Sequence, residues 1–187
     1  MVDEKSEKKG RTKKSQPFKS ILGQNTLRAI WQIMRTTPLP GEFSKPPADI
    51  GSGKHGRISG SQWHTFFTVY LVMALIPLWS TDTPRKQAML ENFMRLVKAI
   101  KIATSRSVSP PELQDFSDTF NEFLIGMMKL YPWAPYLPTY HICKHFPRFM
   151  RLWGPVFAYS TWIVERTNHI FQRVKTNMKR GMCSQQS

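Results

Sequence analysis

The chain has 187 residues, 41% of them apolar, and a formal charge of +15. That length suits one domain with tails, and the apolar share suffices for a modest core. Two cysteines, Cys143 and Cys183, exclude a disulfide scaffold and point to reduced thiols, while an excess of Lys and Arg this large points to nucleic acid or an anionic membrane surface, with plain solubility as the alternative.

Residues 1–25 read as a disordered basic tail, because the first 20 are polar and lysine-rich with no apolar periodicity. Within it, Lys8-Lys9-Gly10-Arg11-Thr12-Lys13-Lys14 has the make-up of a nuclear localisation signal, a phosphate-binding arm or an ordinary charged tail. The apolar run that a secretory signal needs is missing there. Residues 26–58 read as a short helix and a Pro/Gly-rich linker. Thr26 is the expected cap, and Leu27, Ile30, Trp31 and Met34 fall on one face. Pro38 and Pro40 stop the helix. The stretch from Glu42 to Lys54, with Pro46-Pro47, is a loop.

Residues 59–181 read as a helical domain, followed by a short tail over 182–187. Ser59 and Gln62 have capping-box spacing, each able to satisfy an orphan backbone donor. The run Trp63 to Trp79 follows and is expected to be a helix buried nearly all round. It is near the minimum length for a membrane span, but His64, Thr65, Thr68 and Pro77 interrupt it. Thr83-Pro84 opens the next helix, with Asp82 or Thr83 as cap. Leu90, Phe93, Met94, Val97, Ile100 and Ala103 keep helical spacing. Arg85, Lys86, Arg95, Lys98 and Lys101 line other faces, which are expected to be solvated. Ser109-Pro110-Pro111-Glu112 is a second capping box. It opens a helix from Leu113 to Leu130 whose stripe of Phe116, Phe120, Phe123, Leu124 and Met127 is core.

Pro132, Pro135 and Pro138 then bend the chain. Pro138 begins a helix carrying His141, Cys143 and His145, which Pro147 should kink or end. Two histidines four apart share a helix face, a spacing that can bind zinc. No HExxH motif is present, and no acidic ligand stands nearby. The alternative is that the pair packs against the Trp153 region or hydrogen-bonds to Glu165. Gly154-Pro155 ends that helix and starts another. There Val156, Ile163, Ile170 and Val174 make an apolar face, and Glu165 stands among Asn168, His169 and Gln172 on a different one. Glu165 reads as either a solvated carboxylate paired with Arg166 or His169, or a metal-binding or acid/base group. His141, His145 and Glu165 lie at comparable distances from the Gly154-Pro155 corner, so they are expected to face one another across it. Runs of strand period are absent.

Several of these residues occur together in a known pattern. Gly154-Pro155-Val156, Ser160 to Trp162, Glu165-Arg166, Asn168, Gln172, Thr176-Asn177 and Lys179 follow in that order. Upstream stand Ile30-Trp31, Met34-Arg35-Thr36-Thr37, Leu39-Pro40, Gly56-Arg57-Ile58-Ser59, Gln62-Trp63 and Thr65. The set resembles the C-terminal part of fungal DNA transposases of the CACTA and Kyakuja–Dileera–Zisupton kind, over about residues 27 to 181. The resemblance implies an RNase H-like core in the intact family, in which two aspartates and a late glutamate hold magnesium for strand cleavage and transfer. It implies that Glu165 matches the late glutamate, and His141 and His145 a His/Cys signature before it. The strands bearing the two aspartates should precede the helical insertion, where this chain has only a short, basic, Pro-rich segment. Asp82, Asp115 and Asp118 match neither aspartate. Two-metal chemistry needs several carboxylates converging on ions about 3.5–4 Å apart, and Glu165 alone does not supply them.

The expectation is an all-α domain of five to six helices without the RNase H-like strands. It is a transposon-derived fragment, catalytically incomplete and needing no cofactor, nuclear, with DNA as partner. The residues expected to meet DNA are Lys9, Arg11, Lys13, Lys14, Arg166, Arg173, Lys175, Lys179 and Arg180. A metal site would draw on His141, His145 and Glu165. The alternatives are a helical nucleic-acid-binding or protein-interaction protein with no tie to transposition, and a membrane-associated helical protein.

Overall fold

A computed structural model of the chain describes residues 22–41, 43–52 and 56–159. Those residues are α-helical with no strand, as the periodicity leads one to expect. None of the helices is long and apolar enough to cross a membrane.

Helix α1 spans Gln24–Thr36. Its N-cap is Gly23, with no side-chain cap bond, so Thr26 is not the cap. The helix begins earlier because Gly23 supplies the extended entry, and the carbonyl of Gly23 accepts from the Leu27 amide at 3.0 Å. Ile30 and Met34 are fully buried. Each contributes about 1.5–3 kcal/mol relative to exposure. Trp31 is half-buried, and its indole N–H donates to the Ile50 carbonyl at 2.9 Å. That bond fastens the loop to α1, and Ile50 enters the core beneath it.

Helix α2 (Gly60–Thr65) starts on the expected box. The Gln62 amide donates to Ser59 Oγ at 3.3 Å, and the Ser59 amide donates to Gln62 Oε1 at 2.9 Å. A π-helical turn over Phe66–Tyr70 carries α2 into α3 (Leu71–Trp79). The wider turn rotates the following residues, so Phe66, Tyr70, Leu71, Ala74, Leu75 and Trp79 all reach the core. The rod is not buried all round, however. Met73 is 45% exposed and Ile76 42%. Among the described residues no further layer covers that side.

Helix α4 (Pro84–Ala103) and α5 (Pro110–Leu130) form the antiparallel spine. Thr83 is the N-cap residue of α4 and makes no side-chain cap bond. The Asp82 carboxylate instead accepts from the Thr83 amide and the Lys86 ammonium, each at 2.6 Å. At the head of α5, both the amide and the hydroxyl of Ser109 donate to Glu112 Oε2, at 2.7 and 2.6 Å. The α5 stripe of Phe116, Phe120, Phe123, Leu124 and Met127 is buried as a unit.

Two apolar clusters result. One gathers α1, the α2–α3 rod and Met89 at the start of α4. The other gathers Ala99 and Ala103 from the end of α4, the α5 stripe and Met150. Tyr131 packs against both. Beyond α5 come α6 (Pro138–Cys143), α7 (Phe146–Trp153) and α8 (Val156–Tyr159). Pro147 does not kink a helix in its middle. The chain breaks at Lys144-His145, and Pro147 falls in the first turn of α7, where its missing N–H costs little. Gly154 closes α7 at φ 80°, a conformation that favours glycine.

Candidate nucleic-acid interface

The site starts from where the charges lie. Among the described residues every acid except Asp49 is on α4, on α5 or in the turn before α4. These acids meet the α4 bases directly. Lys86 pairs with Asp82 at 2.6 Å, and Lys98 with Asp115 at 2.6 Å. Arg95 reaches Glu91 at 2.6 Å and Glu122 at 3.1 Å. Arg85 lies over the Trp133 ring at 5.9 Å and donates to the Leu130 carbonyl at 3.3 Å. Three of the five α4 bases are therefore paired with acids rather than simply solvated, while Arg85 and Lys101 pair with none of the described acids. Exposed pairs of this kind contribute little to stability, but they hold the spine electrically quiet.

The opposite holds for α6 and α7. From Phe123 to Val164 the chain has no Asp or Glu, while Lys129, Lys144, Arg148 and Arg151 fall inside that run. Lys144, Arg148 and Arg151 are exposed and in no ion pair with a described acid. Helix α7 buries Pro147 and Met150 toward the α5 stripe, and Phe146 stacks on Phe116 at 6.2 Å. Burying that side turns Arg148 and Arg151 outward.

Beside the bases runs a line of rings. His141 and His145 are both exposed, with Nε2 atoms 3.2 Å apart and ring centroids 4.8 Å apart. One imidazole donates and the other accepts. The Phe149 ring stands 6.2 Å from His145 and stacks at 5.2 Å on Trp153. His141 lies on α6 and Phe149 and Trp153 on α7, with His145 at the cap of α7, so the ring contacts carry the line across the break between the two helices. Trp153 is 62% exposed. Cys143 is turned the other way, toward the second cluster. Burial pushes its thiol up from the ordinary range, so it is not a reactive thiolate.

Of the residues singled out from the sequence, the structure describes two. His141 and His145 are brought together as their spacing implies, and His145 lies beside Phe149, which in turn stacks on Trp153. Glu165 lies outside the described residues, and so does its expected meeting with the histidines across the Gly154-Pro155 corner. Lys9, Arg11, Lys13, Lys14, Arg166, Arg173, Lys175, Lys179 and Arg180 also lie outside them, as does the helical pattern after Tyr159. Among the described residues no group of three or more His, Cys, Asp or Glu side chains could hold a metal ion. The sequence reading passed over Lys144, Arg148 and Arg151. Their signal was the acid-free run from Phe123 to Val164, which is visible without coordinates.

An apolar hollow of about 470 Å³ lies between the clusters, lined by Trp63, Phe67, Trp79, Phe93 and Tyr131 among others. No Lys, Arg, His, Asp or Glu lines it, so it offers shape without the orienting charge that a specific site uses. No protein-family model matches the chain, and no curated protein or solved structure matches it.

Proposed function

We propose that this chain is a transposon-derived protein without strand-cleaving chemistry of its own, which binds DNA through charge and without sequence preference. The observation that carries the reading is the separation of charge: acids gathered on the α4–α5 spine, and an acid-free stretch of sequence with Lys144, Arg148 and Arg151 exposed at α6–α7. Phosphate neutralisation releases condensed counterions and needs no base contact, so such a surface binds duplexes of any sequence. The basic tail residues, Lys9, Arg11, Lys13 and Lys14 among them, add to the same attraction and support a nuclear location. The transposon ancestry rests on the ordered motifs around Gly56, Gln62, Gly154 and Glu165.

The test is fluorescence anisotropy of labelled duplexes across a salt series. Affinity is expected to fall by powers of ten over a few-fold rise in salt, and unrelated duplexes of equal length should compete equally. Absence of binding at low salt, or binding indifferent to salt, overturns the reading. A second reading, a protein-interaction module, draws on the exposed Met73 and Ile76 of α3. Concentration-dependent self-association lost in Ile76→Glu would favour it.

A further inference from the structure

We infer that the ring stripe His141–His145–Phe149–Trp153 is a stacking platform for unpaired DNA, so that the chain prefers single-stranded DNA to duplex. This rests on the DNA-binding reading above and adds the form of DNA that the same surface selects.

The argument begins with the cost of the stripe. Aromatic surface left in water is unfavourable, and tryptophan is highly buried on average. Here Trp153 is 62% exposed, and both histidines are exposed, with Phe149 half-buried between them. Met150 of the same helix is 5% exposed, so α7 has a core side, and Phe149 and Trp153 stand at its edge with Trp153 left open. Centroid spacings of 4.8, 6.2 and 5.2 Å make the stripe continuous.

The neighbouring stripe selects the occupant. Lys144 stands three residues after His141 and Arg148 three after His145, so a cation flanks each of the first two rings, while Arg151 adds charge on another side of α7. A polymer with planar faces and regularly spaced negative charges matches both stripes at once. Single-stranded DNA presents both, because its bases are free to leave their own stack while its phosphates stay accessible. A duplex hides the base faces and offers phosphate alone. The acid-free sequence around the stripe removes like-charge repulsion against that backbone.

The experiment compares a labelled oligo-dT with a duplex of equal phosphate count, using the full chain and the variants Trp153→Ala, Trp153→Phe and Arg148→Ala. The full chain is expected to bind oligo-dT more tightly. Trp153→Ala should weaken oligo-dT binding about tenfold, as the loss of one stacked base implies, and change duplex binding less than twofold. Trp153→Phe should retain most of the preference. Arg148→Ala should weaken both ligands alike and lower the salt slope by about one. Equal affinity for the two ligands, or oligo-dT binding unchanged in both Trp153→Ala and His145→Ala, overturns the stacking platform while leaving charge-driven binding in place. Failure to bind either ligand at low salt overturns both readings. Two further results overturn the platform: a preference for oligo-U over oligo-dT, and Trp153-dependent binding to anionic lipid vesicles that exceeds binding to oligo-dT. Circular dichroism of each variant checks that the fold is unchanged.

Discussion

Tyr70 in the first core and the half-buried His64 of α2 show how a single side chain can set a measurable property. Tyr70 has no exposed surface, and its hydroxyl has no hydrogen-bond partner. Burial also pushes its phenol up from the ordinary range. A buried donor without a partner keeps its desolvation penalty. Tyr70→Phe removes that oxygen and leaves the ring. It should raise stability by about 1 kcal/mol, seen as a melting temperature higher by about 2–4 °C. A lower melting temperature would mean that the hydroxyl has a partner. His64 is the pH-sensitive counterpart. Thr104 Oγ1 already donates to the Ile100 carbonyl at 2.8 Å, so His64 Nε2 donates to that oxygen at 3.2 Å. Burial lowers the His64 pKa. The unfolded chain therefore takes up a proton before the folded one does. The stability tied to the neutral ring is full above the ordinary histidine range and is lost as pH falls through it toward the lowered value. Urea midpoints measured from about pH 8 to pH 5 should fall less steeply in His64→Gln than in the parent. Parallel curves would show that His64 titrates normally.

At the scale of elements, the α4–α5 pair depends on one close approach. Asn92 is 2% exposed at the middle of α4, and it lies against Gly126 of α5. A Cβ built on Gly126 would stand 2.7 Å from Asn92 Cγ and closer still to Oδ1. In an exposed helix interior, Gly to Ala gains about 1 kcal/mol. Here the added methyl would force the nearly fully buried Asn92 amide to shift, so overpacking outweighs the propensity gain. Gly126→Ala should cost about 1–3 kcal/mol, and the double variant Asn92→Ala/Gly126→Ala should recover stability relative to it. If Gly126→Ala alone melts higher than the parent, the amide moves aside freely and the contact is not limiting. The same pair of helices carries the ion pairs Arg95–Glu122 and Lys98–Asp115 across the interface. Those pairs set where acid is spent along the chain, and so leave the later helices unopposed.

Across the molecule, the core and the charge follow different divisions. The core divides into two clusters along the length of α4, whereas the charge divides the spine from α6–α7. The proposed DNA surface lies on α6–α7, outside the neutralised spine, so binding DNA there does not need the spine's ion pairs broken. Glu165 follows the same acid-free run in sequence, and the proposed reading gives it no partner pair of aspartates, since only Asp3 and Asp49 precede Asp82. Purified protein with magnesium or manganese should therefore leave plasmid and oligonucleotide substrates uncut. Cleavage that disappears in Glu165→Gln would reject this expectation, since it would mean that other carboxylates complete a metal site.

What the sequence determined by itself is local. The starts of α2 and α5 were legible in Ser59/Gln62 and Ser109/Glu112, because a capping box closes within a few residues. The α5 stripe was legible because Phe116, Phe120, Phe123, Leu124 and Met127 repeat with the helical period. The nearness of His141 and His145 followed from their spacing alone. The start of α1 was misplaced, because Thr26 has the right residue type for a cap and Gly23 announces itself less strongly. Other features depend on what arrives from elsewhere in the chain. Nothing local says that Asn92 is buried, since that requires Gly126 to leave space for it. Ile50 enters the core only because Trp31 reaches its carbonyl. The apolar run of α3 reads as enclosed, and yet Met73 and Ile76 face outward because no further described helix covers them. Lys86 and Arg95 of α4 have acids four residues away in sequence, whereas the bases of α7 have none. The approach of Glu122 and Asp115 from α5 adds partners for Arg95 and Lys98 that no local pattern announces, because an ion pair between helices is decided by packing and not by composition.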